Sequence, residues 1–374
     1  MRAIRVGNEN RMTADTGLSP FGQAAGAGSF WKKSRFADRR PLLLARNRIK
    51  AALRAWFEAE GFIEVEPALL QISPGNEIHL HAFATQAEDE NGAKSPLYLH
   101  TSPEFAMKKL LAAGEEKIFC FAPVFRNREQ ASSALHAREF CMMEWYRAGD
   151  AFAAIQADCL ALVRAAAQAI GQAELNWRGK SCDAGAPAQH LSVCEAFLRL
   201  AKIDLLACLD AAGEGDAPAL HAAAHKAGLG RSGPANWSDL FSAILVDRIE
   251  PHLGTPAFTL LEHYPAPEAA LAQRLPEDPR LAQRFELYAC GVELANGFGE
   301  LTDPIEQRAR FQAAMAQKQA LYGHAYPIDE DFLAALALMG PAAGCALGFD
   351  RLVMLALGAP RITDVQWHPA QTAP

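Results

Sequence analysis

Three short stretches of this chain concentrate side chains that could do chemistry. The first, FRNREQASSALHAREFCMMEWYRAGD from Phe125 to Asp150, interleaves arginines, carboxylates and aromatics between two apolar ends. A period of two from Glu139 onward puts Phe140, Met142, Glu144 and Tyr146 on one face of a strand. That face is either a pocket wall, with an aromatic platform beside a carboxylate-phenol pair, or a core face whose Glu144 meets a neighbouring arginine. The second stretch, RFELYACGVELANGFGEL from Arg284 to Leu301, carries Glu286 and Glu293. A tight turn at Ala289 to Gly291 brings the two carboxylates opposite each other, and like charges so placed need something positive between them. A hard cation such as Mg²⁺, shared with substrate phosphates, answers that need. An arginine partner or exposure to solvent answers it too. The third stretch, GCALGFDRLVMLALG from Gly344 to Gly358, sets small residues at 344, 346 and 348 where backbone can approach a ligand. It continues into an apolar helix with Arg351 in its first turn, an arrangement that suits an anion.

Two other nucleotide signatures are excluded. RGKS at 178 to 181 resembles the end of a Walker A loop, but Glu174 stands where the first glycine is required. No GxGxxG follows an expected strand.

The elements that must hold these groups follow from periodicity. KIFCFAPVF from Lys117 and EFCMMEWYRA from Glu139 read as two strands of one antiparallel hairpin. The loop between them, 127–138, is longer than a hairpin needs and should fold over something. Ile49, Ala52, Leu53, Trp56 and Phe57 mark an amphipathic helix that stops at Gly61. The segment Phe62 to Leu70 reads as a strand, and Pro67 inside it points to a sheet edge, a natural place for a subunit contact. Residues 1–40 are rich in Gly, Ala and Arg with little periodicity, so a loosely attached tail is expected, with order from Pro41 to the end of the chain. The Ala-rich block at 151–230 reads as a helical insertion between two strand-rich parts, with no internal repeat and no βαβ alternation.

Composition narrows the function classes. Half of the 374 residues are hydrophobic, enough for a large core, and no apolar run is long enough to span a membrane. The N-terminus lacks the apolar core of a signal peptide, so a soluble cytoplasmic protein is expected. Eight cysteines without a CxxC pair give neither a zinc knuckle nor a disulfide framework. A net charge of -7 argues against a protein built to grip a nucleic-acid backbone.

In this order, the three stretches resemble the signature motifs of class II aminoacyl-tRNA synthetases, specifically the lysyl branch. GFIEVEPALL resembles motif 1, FRN…HAREFCMMEWY motif 2, and GCALGFDRLVM motif 3, and the resemblance covers about residues 41–370. LYLHTSPEFAMKKLLAAGEEKIF and ELANGFGELTD are similar to the truncated members of that branch, ligases that act on elongation factor P. True lysyl-tRNA synthetases carry an anticodon-binding OB domain where only the Gly-, Ala- and Arg-rich tail stands here. The resemblance implies an α+β fold: a class II catalytic domain with a central antiparallel sheet flanked by helices, forming a homodimer through motif 1.

The resemblance also implies roles. Arg126 and Arg351 would act on the phosphates as the catalytic cations. Asn127, Glu129, His136, Phe140 and Gly348 would complete the ATP site, with Phe140 stacked on adenine. Glu286 and Glu293 would carry Mg²⁺. Glu104, with Asn296 close by, would meet an amino group near the substrate carboxyl, while Glu144, Tyr146 and Glu300 would hold the distal ammonium. The implied reaction activates lysine or (R)-β-lysine as an acyl-adenylate and passes it to a lysine ε-amine of elongation factor P, with tRNA an unlikely acceptor. A lysyl-tRNA synthetase-like enzyme and a catalytically silent paralogue are the alternatives. Ala346 resembles the ligase branch, because lysyl-tRNA synthetases usually have glycine there. The chain departs from the pattern in a longer motif 2 loop, a displaced Glu129, and Arg138 where proline is common.

Overall fold

The computed structural model describes residues 30–129, 133–149, 152–230 and 236–370. Its centre is an eight-stranded sheet ordered Ile63–Glu64, Lys117–Phe125, Glu139–Ala148, Ala342–Gly348, Val292–Gly299, Leu281–Ala289, Thr259–Pro265 and Gln189–Ser192. Neighbours are antiparallel throughout the middle of the sheet, and only the two edge strands pair parallel. The sheet is therefore mixed, with an antiparallel centre.

The alternation read from the sequence decides which residues face where. Phe119, Met143, Trp145, Phe285, Cys345 and Leu347 point to the back of the sheet and are buried under helices. Glu144, Tyr146, Ala346 and Asn296 take the front. The helix Lys33–Ala59 covers the back, stacking Phe57 on Phe119 with ring centroids 4.2 Å apart. Burying one such side chain contributes about 1.5–3 kcal/mol.

Three boundaries differ from the sequence reading. The first helix starts at Lys33, so Pro41 lies inside it and not at its start; the rest of the expected tail, 1–29, lies outside the described residues. The apolar stripe Leu42, Ile49, Leu53 and Phe57 in the main core overrides the proline's cost to the helix. The expected strand Phe62 to Leu70 shrinks to Ile63–Glu64 at the sheet edge, and Leu70–Gln71 joins a separate three-stranded sheet. The block 151–230 is not one helical insertion. Helix Phe152–Gln168 packs Ile155, Cys159, Leu162 and Val163 into the main core, and a hairpin of Glu174–Trp177 with Lys180–Asp183 follows. The separate helical unit is a second core around Val193, Phe197, Trp237, Phe241 and Ile249. In it, Phe241 stacks on Phe197 at 4.9 Å and on Trp237 at 5.2 Å. An alanine-rich helix fits either place, and composition cannot choose between them.

Candidate active site

The front of the sheet is built by register. Ala346 pairs with Glu144 on one side and Asn296 on the other, so a methyl, a carboxylate and an amide stand in one row. Gly344, one pair further along, sits between Tyr146 and Phe298. A Cβ on Gly344 would lie 2.3 Å from the Tyr146 ring and 2.7 Å from Glu300 Oε1. Its smallness seats those side chains, and does not open backbone to a ligand as the spacing had implied. At Gly348 a Cβ would make only ordinary contact, 3.6 Å from Arg351. Over this row lies a cavity of about 280 Å³ that runs from Ser102 and Glu104 to Arg126, His136, Phe140 and Arg351.

The Glu104 end gathers buried carboxylates around it. Buried Glu144 accepts hydrogen bonds from Ser102 Oγ at 2.7 Å and Tyr146 Oη at 2.6 Å. Burial, helped by the charge of Glu104, pushes its pKa up to about 8. Glu300 is also buried, and burial raises its pKa to about 8 although Lys108 pulls it down. Lys108 was not anticipated. It stands one turn after Glu104 on the helix Glu104–Ala112, 1% exposed, with Nζ 2.5 Å from Glu104 Oε1 and 2.5 Å from Glu300 Oε2. The i,i+4 spacing in PEFAMK was the available signal. Among the described residues, neither oxygen of Glu300 nor Asn296 Oδ1 has a hydrogen-bond partner, the contact of Glu300 Oε2 with Lys108 being an ion pair.

The other end is cationic. Arg126 lies with its guanidinium 5.3 Å from the Phe140 ring centroid, its Nε without a partner among the described residues. Arg351 leaves the first turn of the helix Phe349–Ala356 and donates to Leu135 O at 3.2 Å and Glu293 O at 3.0 Å. It thereby ties the long hairpin loop to the Val292–Gly299 strand. His136 shares a 2.7 Å hydrogen bond with Ser133 Oγ, and burial, with Arg351 and Arg126 nearby, lowers its pKa to about 4. Its imidazole is neutral at neutral pH. Glu129 reaches the cavity wall. Asn127 does not line it: the Asn127 side chain accepts the Arg128 N–H at 2.8 Å, and its own N–H pairs with His81 O.

The carboxylate pair sits differently from the expectation. The turn falls at Cys290 and Gly291, both at positive φ, and a bulge at Leu287/Tyr288 shifts the register. Glu286 therefore faces Asn296, and Glu293 faces Tyr288. The two glutamates remain on the front as diagonal neighbours. Arg284 contacts Glu286 at 2.6 Å, Tyr288 Oη donates to Glu286 at 2.7 Å, and Arg351 is 3.5 Å from Glu293. Glu250, which the sequence reading missed, adds a third carboxylate. Its pKa rises to about 7 through burial and the charges of Glu286 and Glu293. Among the described residues no group of three acidic, His or Cys side chains has metal-binding geometry. Glu286 and Glu293 are hard oxygen donors on one face beside the cavity, and burial and Glu286 together raise the pKa of Glu293. They fit a cation whose coordination is completed by phosphate and water, not an all-protein cage.

The fold and the two-ended cavity are those of an amino-acid-activating catalytic domain. Residues 31–372 match the family model of class II tRNA synthetases (D, K and N), and the chain belongs to that family as an ATP-dependent ligase. Among curated relatives, it is 38% identical over 335 residues to the elongation factor P (R)-β-lysine ligase of Proteus mirabilis, covering 88% of this chain and 95% of the relative. The ligases of that name from Pectobacterium carotovorum and Salmonella typhi are each 38% identical, over 86% and 87% of this chain and 93% and 94% of their own lengths. No helix among the described residues is long and apolar enough to cross a membrane.

Proposed function

We propose that this chain activates (R)-β-lysine, in preference to α-lysine, as an acyl-adenylate, and transfers it to the ε-amine of a lysine on elongation factor P. The observation that carries this reading is the cavity that runs from the guanidinium end at Arg126 and Arg351 to Ser102 and Glu104, behind which Glu144 accepts from Ser102 and Glu300 shares Lys108 with Glu104. ATP matches the first end by charge and by the Phe140 ring, and a diamino acid matches the second. The names of the relatives support the substrate and the acceptor.

In the first step, a substrate carboxylate oxygen attacks the α-phosphorus, and pyrophosphate leaves. Arg126 neutralises the α-phosphate and Arg351 the γ-phosphate, while neutral His136 donates a hydrogen bond near the γ-phosphate and Phe140 stacks on adenine. Positioning does most of this work: the row Glu144, Ala346, Asn296 would hold the amino acid with its carboxylate toward Arg126. In the second step, the acceptor amine attacks the acyl carbon, the carbon–oxygen bond to AMP breaks, and an isopeptide bond remains. Mg²⁺ would be held by Glu286 and Glu293 and would supply further charge neutralisation on the phosphates.

Ile63, Leu70 and Ile72 are 55%, 50% and 51% exposed around Pro67, which supports a homodimer through this edge. The acidic balance favours a protein acceptor over tRNA. A cytoplasmic location follows from such an acceptor.

The test offers purified enzyme, ATP and labelled (R)-β-lysine either elongation factor P or lysine tRNA. Label on the protein's lysine is expected. Label on tRNA alone would overturn the acceptor, and absence of amino-acid-dependent pyrophosphate exchange would overturn the enzyme.

A further inference from the structure

Lys108 is a buried ammonium behind the Glu104 end of the cavity, paired with two carboxylates. With 1% of its surface exposed it has no water to solvate it, and a buried charge of this kind persists only when paired. Both partners are carboxylates of the amino-acid end: Glu104 on its own helix, and Glu300 at the end of the Val292–Gly299 strand. From the Glu139–Ala148 strand it is faced by Glu144 and by Tyr146, whose phenol stays protonated because burial and Glu144 hold its pKa well above the usual value. Glu77 faces Glu104 from the adjoining loop, but Arg126 and Lys318 offset its charge.

We propose that Lys108 is a positioning residue: a resident ammonium that sets the charge of this end to match a substrate with two ammonium groups. The inference rests on reading this end as the amino-acid pocket. Once a bound cation draws Glu144 and Glu300 into their ionised forms, the three carboxylates Glu104, Glu144 and Glu300 less one ammonium leave two negative charges. A diamino acid whose carboxylate faces Arg126 supplies two positive ones. Lys108 also orients Glu300 through the ion pair at Oε2, while Oε1 lies beside Gly344, and neither oxygen has a hydrogen-bond partner among the described residues. Without that ammonium, three buried carboxylates must share one site. Protonation then removes the charge that would attract the substrate. The loss should be greatest at neutral pH and smaller at high pH, where the carboxylates ionise again.

The experiment measures (R)-β-lysine-dependent pyrophosphate exchange by wild type and Lys108→Met from pH 6 to 9. At pH 7 the variant should show a KM raised by about tenfold or more, with kcat changed far less, and the defect should shrink toward pH 9. A KM change of equal size at every pH marks a purely structural residue, and an unchanged KM removes Lys108 from recognition; either overturns the proposal. Should K108M alone not fold, K108M/E104Q removes the stranded carboxylate with its partner. Its KM should then vary between pH 6 and 9 no more than that of E104Q alone, and a steeper dependence would overturn the proposal. Calorimetric titration of wild type and variant with 1,5-diaminopentane separates this idea from the enzymatic reading, because it needs no reaction. Weaker diamine binding by the variant at pH 7 supports the charge role even if wild type fails in exchange, and equal binding counts against it.

Discussion

The two ends of the cavity carry charge in different ways. At the phosphate end the charges belong to Arg126 and Arg351, which burial cannot neutralise because a guanidinium keeps its proton at any ordinary pH. Behind the Glu104 end, the proposed amino-acid end, they belong to Glu144 and Glu300, whose pKa values burial lifts to about 8. One end is permanently ready for an anion. The other acquires its charge when a cation arrives or the pH rises. The difference teaches that phosphate binding should be nearly independent of pH near neutrality, while amino-acid binding should not.

The largest effect is expected from breaking the permanent end. Arg126→Ala removes a guanidinium whose Nε has no partner among the described residues, and we predict a loss of amino-acid activation by about 10³-fold or more. Pyrophosphate exchange measures it, and substantial residual exchange would mean that Arg126 is not at the phosphate. Next comes Glu293→Gln, expected to lower Mg²⁺-dependent adenylate formation by about 10²-fold with an intact fold. An unchanged Mg²⁺ titration in that variant would remove Glu293 as a cation ligand.

The switchable end makes a prediction about pH. In the empty protein Glu144 and Glu300 titrate near 8, against about 4.3 for an unfolded glutamate. The folded state therefore holds protons that the unfolded chain releases between these values, and its stability falls as pH rises through that window. A bound diamino acid lets both carboxylates ionise and restores the loss. Melting temperature should fall by about 5 °C from pH 6 to 8 without ligand, and by less with saturating (R)-β-lysine. Parallel curves with and without ligand would place the substrate away from these carboxylates. By the same linkage, KM for the amino acid should fall as pH rises toward 8.

The same contrast explains which parts were legible in the sequence. Hairpin strands such as Lys117–Phe125 and Glu139–Ala148 could be read because alternation is a local signal, and it placed Phe140, Glu144 and Tyr146 on one face. The facing of Glu286 and Glu293 could not be read, because the bulge at Leu287/Tyr288 shifts register without changing the residue pattern. Lys108 was passed over for a related reason. A lysine one turn from a glutamate usually decorates a solvated helix face, and only Glu300, far along the chain, shows that this face is buried. Arg284 and Glu250 likewise gain meaning only from tertiary neighbours. The helix around Pro41 was misplaced because packing of its apolar stripe outweighs the local penalty.

The smallest effect, and the sharpest comparison between substrates, belongs to Ala346. Its methyl stands in the row between Glu144 and Asn296 and lines the cavity. In the proposed pose, with the distal ammonium toward Glu144 and the carboxylate toward Arg126, it stands beside the α-carbon region of the substrate. An amino group on the α-carbon would crowd the methyl, whereas the amino group of β-lysine, one carbon further along, turns past it toward Glu104. One methyl in a pocket wall shifts discrimination by about 1–3 kcal/mol, so the preference should be large without being absolute. Ala346→Gly should therefore raise kcat/KM for α-lysine by about tenfold while changing that for (R)-β-lysine little. Glycine meets no barrier in this strand beyond its added flexibility, a cost of about 0.5–1 kcal/mol that does not distinguish the two substrates. The ratio of kcat/KM for the two amino acids, measured on wild type and A346G, isolates the methyl. An identical ratio in both proteins would return Ala346 to a packing role and move the choice of isomer to Glu104 and Asn296.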